Sequence, residues 1–204
     1  QVFMNEKFES AKFYLDQGFS LVPCQIKKGL TGKKECVWYV PWKEYQLKHP
    51  KLEEIEEWWK KWPNADIAII TGKISGISVV DTEAGADLSI FNLKDCTTVS
   101  SSSGGGGKHF YFAYSEKAGT NSVKFAPLHD IRNDGGVIFA PPSDHPSGVK
   151  YTWNIPLGLG SLLPFPTDIS NALVKEEGGK VIDWNKKLTE IIPDGSRNDT
   201  ITSI

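Results

Sequence analysis

Three short stretches of this chain hold residue types whose spacing could support chemistry. In "ISVVDTE" an Ile/Val run ends in Asp81 and Glu83. In "SSSSGGGGKHFYF" a Ser/Gly loop leads into Lys108 and His109, and "HDIRND" carries Asp130 and Arg132. A carboxylate at the end of an apolar strand is costly to bury unless something compensates it. Side chains alternate faces along a strand, so residues two apart share a face. Asp81 then sides with Glu83, with Thr82 opposite; His109 sides with Tyr111; Asp130 sides with Arg132, and Ile131 points away. Lys108, Phe110 and Phe112 take the other face of their strand. The three strands thus offer three carboxylates, an imidazole and a guanidinium.

This set suits divalent-metal chemistry on phosphates. Hard cations such as Mg²⁺ and Mn²⁺ prefer a few carboxylates completed by substrate phosphates. Two such ions can clamp both the attacking and the leaving oxygen of an in-line phosphoryl displacement. The ions would also offset the mutual repulsion of the clustered acids. Consecutive glycines let backbone N–H groups approach and cradle a phosphate. Ser101 to Ser103 add hydroxyl donors, Lys108 and His109 add nitrogen donors, and Arg132 can fork onto phosphate oxygens. The loop is not a Walker loop, because aromatic strand residues follow it instead of GK[ST] and a helix.

Each stretch alone has an ordinary explanation. A D-x-E pair is commonly a solvated strand end, and a Gly/Ser run a hairpin linker. A histidine among aromatics is commonly structural, and Asp130 fits simple turn chemistry. Their joint occurrence, in this order, is what weighs for a site.

The elements that must position these groups follow from periodicity. "EKFESAKFYLDQGF" has helical spacing at Phe8, Ala11, Tyr14 and Leu15, and Gly18 suits its end. "KLEEIEEWWKKWP" is a second amphipathic helix closed by Pro63. "FSLVPCQI" reads as a strand, and Lys27 to Lys48 as a basic, irregular segment interleaved with Trp38, Tyr39 and Trp42. Strands are then expected at "DIAIITG", "GISVVDTE", "TTVSSS", "KHFYFAY", "LHDIRND", "GVIFAPP" and "YTWN". "TDISNALVKEE" and "VIDWNKKLTEII" read as helices again. Helices first, a strand-rich middle, then helices predict an α+β domain with a mixed or antiparallel sheet, not a doubly wound fold.

Bulk properties set outer limits. At 204 residues the chain suffices for one sizeable domain with a small appendage. Its net charge of −2 gives no overall nucleic-acid footprint, which leaves room only for a local basic stripe. Cys24, Cys36 and Cys96 stand far apart without His ligands at zinc spacing, so they are expected to be reduced thiols. No apolar run spans a bilayer and no signal pattern opens the chain, so no membrane partner and a cytoplasmic (host cell or nucleoid) location are expected. An opening Gln and a closing "GSRNDTITSI" suggest a fragment of a longer protein.

The ordered stretches "ISVVDTE", "SSSSGGGGKHFYF", "DIRNDGGVIFAPPS" and "SGVKYTW" resemble the bifunctional DNA primase/polymerase (prim-pol) branch of the archaeo-eukaryotic primase superfamily. Asp81 and Glu83 match its D-x-D/E motif, His109 its histidine strand and Asp130 its third acid. The N-terminal "AKFYLDQGFSLVPC", "PWKEYQ" and "IEEWWKKWPNADIAIITG" fit as well, and the resemblance runs from Ala11 to Trp153. It implies a primase-like core with an RRM-like sheet subdomain and a smaller α/β part. It implies a catalytic domain over 1–165, and "PDGSRNDTI" within 166–204 looks like the start of a further helical domain.

For function the resemblance implies a DNA primase/polymerase that extends a primer on a DNA template and releases pyrophosphate, in replication or repair of DNA, including that of a mobile element. Asp81, Glu83 and Asp130 are the implied ligands of two Mg²⁺ or Mn²⁺ ions. Asp134 lies near Asp130, and the hydrophobic-strand context favours Asp130. Ser101, Ser103, Lys108, His109 and Arg132 are the implied contacts to a dNTP or NTP triphosphate. Lys33, Lys34 and Lys43 are candidate template contacts or an ordinary solvated face. A helicase or further domain in the full-length chain is an expected partner. "GKKECVWYVPW" departs from the G-K-x-P of many relatives, and no cysteine cluster matches the zinc stem of some of them. Primer initiation is therefore less supported than extension. A metal-dependent nuclease and a non-catalytic nucleic-acid-binding module remain as alternatives.

Overall fold

A computed structural model describes residues 5–96, 98–101, 106–157 and 162–166. Both expected C-terminal helices and, apart from Pro166, the expected extension over 166–204 lie outside these residues, as does Ser103. Helix α1 (Glu6–Asp16) starts where the Asn5 side chain accepts the Phe8 N–H at 2.9 Å. It ends at Gly18, whose φ of +85° lets the chain turn back while its N–H donates to the Leu15 carbonyl. Helix α2 (Leu52–Lys61) starts where Glu54 accepts the Lys51 N–H, and it buries Ile55, Trp58 and Trp59. Both helices follow the periodicity expected of them.

In chain order the strands are β1 (Ser20–Lys28), β2 (Lys34–Trp38), β3 (Asp66–Ile70), β4 (Ile77–Thr82), β5 (Val99–Ser101), β6 (Lys108–Ala113), β7 (Ser122–Ala126), β8 (His129–Arg132), β9 (Val137–Ala140) and β10 (Thr152–Ile155). They form a four-stranded sheet in the order β2-β1-β3-β9 and a six-stranded sheet in the order β10-β5-β6-β4-β8-β7. Every strand ladder among the described residues is antiparallel. The fold is therefore α+β with two antiparallel sheets and few helices. β2 and β7 are strands where none was expected. β2 is an edge strand whose alternate residues stay exposed, so its polar sequence carries little apolar signal.

Two apolar clusters explain how the sheets are held. One joins the first sheet and both helices to Ile77, Val79 and Tyr111 of the second sheet and to Tyr151. The other covers the opposite face of the second sheet, packing Val80, Phe110, Phe112 and Ile131 against Phe91, Leu93 and Phe125. The second sheet is thus buried on both sides, and β4 and β6 read as near-continuous apolar runs for that reason. A buried ion pair adds a polar tie: Lys7 Nζ lies 2.7 Å from Asp66 Oδ1 and 2.7 Å from Asp144 Oδ2. No helix among the described residues is long and apolar enough to cross a membrane.

Candidate active site

Strand register assembles the chemistry-bearing residues. Asp81 on β4 pairs with His109 on β6 and with Asp130 on β8, and His109 pairs with Ser100 on β5. Directly paired residues project to the same side. Ser100, His109, Asp81 and Asp130 therefore form one row across four strands. Two residues back along β4, Val79 pairs with both Tyr111 and Arg132. Ile77 and Val79 lie fully buried on this same face against the first sheet, while Asp81 is half-buried. The row sits where the core between the sheets gives way to solvent.

Arg132 compensates the acids. Its Nη2 lies 2.8 Å from Asp130 Oδ2 and 3.2 Å from Asp81 Oδ2, donating to both. His109 Nε2 is 3.5 Å from Asp81 Oδ1. The His109 ring is 2% exposed, and burial pushes its pKa down to about 4 against the opposing pull of Asp81. The imidazole is accordingly neutral near pH 7. On its other side Ser100 Oγ lies 3.3 Å from His109 Nδ1. Glu83 stands one residue past the end of β4; its N–H donates to the Leu128 carbonyl at 2.9 Å, and its side chain is exposed.

The first sheet contributes a cation to this region. Lys34 Nζ lies 3.3 Å from the Tyr151 hydroxyl and 5.3 Å from the Phe139 ring centre. The Tyr151 ring lies tilted against His109, 5.6 Å between ring centres. Desolvation of the ammonium against these rings lowers the Lys34 pKa, and Asp81 opposes that shift. Lys33 lies in the bend that precedes β2.

Two expected site residues are not brought to this row. Ser101 pairs with Lys108, and Lys108 with Thr82, so these side chains leave the sheet on the opposite face. Ser101 Oγ donates instead to Asn154 Oδ1 at 2.7 Å. Ser103 lies outside the described residues. Asp134 is turned to structural use, accepting from the Tyr114 hydroxyl at 2.9 Å and from the Lys73 N–H at 2.8 Å. Ser100 and Tyr151 were not singled out from sequence. Ser100 is hidden in a run of four serines, and only the β5–β6 register shows which serine flanks the histidine.

Among the described residues no three His, Cys, Asp or Glu side chains are gathered tightly enough to enclose an ion by themselves. The donor set nonetheless fits Mg²⁺ or Mn²⁺. Such ions take one or two protein carboxylates and complete their shell with substrate phosphates and water. Asp81 and Asp130 supply carboxylate donors in register, and Glu83 follows one residue past the end of β4.

The antiparallel α+β core thus lines up two acids, a neutral histidine and an arginine along one row. The comparison with families agrees: residues 11–167 match the N-terminal domain of bifunctional DNA primase/polymerases, and the chain belongs to that family. No curated relative matches the chain.

Proposed function

We propose that this domain carries out template-directed nucleotidyl transfer, extending a DNA primer with dNTPs or NTPs and releasing pyrophosphate. Family membership supports the DNA primase/polymerase class and, with it, DNA and nucleotide substrates. The observation that carries the finer reading is the Asp81–Asp130 pair, set side by side by strand register with Arg132 bridging them.

Asp81, Glu83 and Asp130 would hold two divalent ions, Mg²⁺ or Mn²⁺. When bound, such ions supply Lewis-acid polarisation and charge neutralisation at the reacting phosphate. The rest of the work falls to the chain. Buried Ile77 and Val79 fix β4, so the acids are presented on a rigid element. Arg132 has a planar fork that can pass from carboxylate to phosphate oxygens as the triphosphate arrives. His109, neutral and buried, offers one N–H donor without adding a positive charge that would compete with the ions. Lys34 is a further cation on the first-sheet side of the row, which suits either the triphosphate or a template phosphate. Lys33 and Lys43 keep the standing of candidate template contacts.

The same reading takes residues 1–165 as the catalytic unit, with an RRM-like sheet subdomain and a smaller α/β part, and 166–204 as the start of a helical domain. DNA replication or repair is the setting it implies, with a helicase or further domain in the full-length chain as an expected partner.

Primer extension with a labelled primer and single-stranded template tests the site. Asp81→Asn and Asp130→Asn should each lower extension about 100-fold or more, beyond the cost of losing an outer partner of a metal ligand. Extension at the parent rate by both variants would remove the proposal. Shortening of the primer in place of lengthening would indicate a nuclease.

A further inference from the structure

The hairpin formed by β1 and β2 has a composition that the proposed site leaves largely unused. Its sequence over 27–34, "KKGLTGKK", puts two lysines on each side of the turn. In the ladder Lys28 pairs directly with Lys34, and Lys27 with Glu35. The Gly29 N–H donates to the Lys33 carbonyl at 2.7 Å, and the Gly32 N–H donates to the Gly29 carbonyl at 2.9 Å, so the turn is closed. Gly32 takes a φ of +81° to complete the reversal. At the tip Leu30 is 108% exposed, the most exposed large apolar side chain among the described residues.

A single exposed leucine needs no explanation by itself. Two features set this one apart. Like charges directly opposite each other destabilise paired strands, yet Lys28 stands opposite Lys34. Among the described residues Lys27, Lys28 and Lys33 form no ion pair. Glu35, the carboxylate of the hairpin, lies over Gly29, in the space a Cβ would fill. The tip is thus held against its own repulsion, which an anionic partner would relieve. The second feature is place. Alternation puts Lys28 on the same face as Ile26, Cys36 and Lys34, and Lys34 reaches the Tyr151 hydroxyl beside His109. Four residues of chain lead from Leu30 to Lys34, so the tip lies within about 14 Å of it.

We propose that this hairpin grips the single-stranded template beside the site: Lys28 and Lys33 hold its phosphates, and Leu30 packs between two of its unpaired bases. Phosphates supply the anions that the lysines lack. Bases supply flat apolar faces, and leucine is among the side chains that nucleic-acid-binding proteins insert between base steps. On a strand that is already unpaired, no base pair has to be broken for the insertion. The role of the bound strand as template rests on the nucleotidyl-transfer reading, whereas the DNA contact itself requires no catalysis.

Binding of a labelled primer–template with a single-stranded 5′ overhang, in EDTA and without nucleotide, separates the two. Fluorescence anisotropy across about 50–200 mM salt gives the affinity and its salt slope. The double variant Lys28→Gln/Lys33→Gln should lower the slope by about 1.4, the share of two single-strand phosphates. Leu30→Ser, at a fully exposed position, should weaken binding about tenfold with the slope unchanged, the scale of withdrawing a leucine side chain from water. On an overhang made of abasic sites, the parent and Leu30→Ser should bind alike.

Parent-like affinity of Leu30→Ser, a parent-like slope of the lysine variant, or a Leu30 advantage that persists on the abasic overhang would each overturn the proposal. Leu30-dependent sedimentation with anionic phospholipid vesicles, with DNA affinity unchanged in Leu30→Ser, would assign the tip to a membrane surface and overturn it too. If the variants lose DNA affinity as expected but the parent extends no primer, the hairpin contact stands and the nucleotidyl-transfer reading fails. If the parent extends primers and the variants bind as it does, the reading stands and the hairpin contact fails.

Discussion

At the scale of single residues, the site sets a neutral histidine and a charged arginine side by side. His109 has a native pKa of about 4 against 6.5 in an open chain, because burial disfavours the imidazolium more than Asp81 favours it. The unfolded chain therefore binds the extra proton first as the pH falls. Stability from this group is complete above pH 6.5 and is lost as pH drops towards 4, amounting to about 2 kcal/mol by pH 5. Urea denaturation at pH 7.5 and pH 5 should show this loss in the parent and a flatter dependence in His109→Gln. A parent protein as stable at pH 5 as at pH 7.5 would contradict the neutral-histidine account.

Arg132→Gln removes the donor shared by Asp81 and Asp130 and should raise the nucleotide KM about tenfold, near the lower bound for a hydrogen bond to a charged group. Asp81, His109, Asp130 and Arg132 were each singled out from the letters, and strand register brings them together. Ser100 was not, because four consecutive serines look alike until a partner strand distinguishes them.

At the scale of elements, the site depends on β5, β6, β4 and β8 keeping their register, since a slip of one residue would turn Asp81 away from His109 and Asp130. The turn after β8 helps to hold that register. Gly135 has a φ of +80°, and a Cβ on Gly136 would come within 2.5 Å of Asn121 Oδ1 and 2.8 Å of Thr71 Oγ1. The paired glycines before "VIFA" thus have a steric cause that the letters alone do not state. Gly136→Ala should cost about 1–3 kcal/mol, as overpacking does, measured by thermal or urea unfolding.

The Lys7–Asp66 pair belongs to the same scale, joining α1 to β3 inside the protein. Lys7→Ala leaves Asp66, 3% exposed, without its counter-ion. That change should destabilise the fold by about 3–5 kcal/mol, the usual cost of breaking a buried pair; a change within 0.5 kcal/mol would show the pair to be dispensable. Helix spacing and apolar strand runs made most elements legible. β2 was not, because an edge strand with solvent on alternate residues carries a polar sequence, and its pairing with β1 is a long-range fact.

At the scale of the whole molecule, two antiparallel sheets share one apolar cluster, and the acids emerge at the rim of that cluster. This geometry accounts for an Ile/Val strand that ends in carboxylates: Ile77 and Val79 are held between the sheets, and Asp81 lies one step beyond them. Sequence indicated the α+β class and the strand-rich centre. It could not show that the strands divide into two sheets, because both sheets are built from non-neighbouring segments such as β3 with β9.

The net charge of −2 is compatible with a DNA enzyme on this plan, since the lysine facing the site, Lys34, is local and not part of a global excess. The central claim is that the site joins nucleotides under the direction of a template, and template exchange tests it most directly. With a fixed primer, Mn²⁺ and one labelled dNTP at a time, the incorporated base should follow the templating base as that base is changed among all alternatives, and Asp81→Asn should lower incorporation about 100-fold or more. Incorporation that ignores the template, or that proceeds at the parent rate in Asp81→Asn, would contradict template-directed transfer at this site.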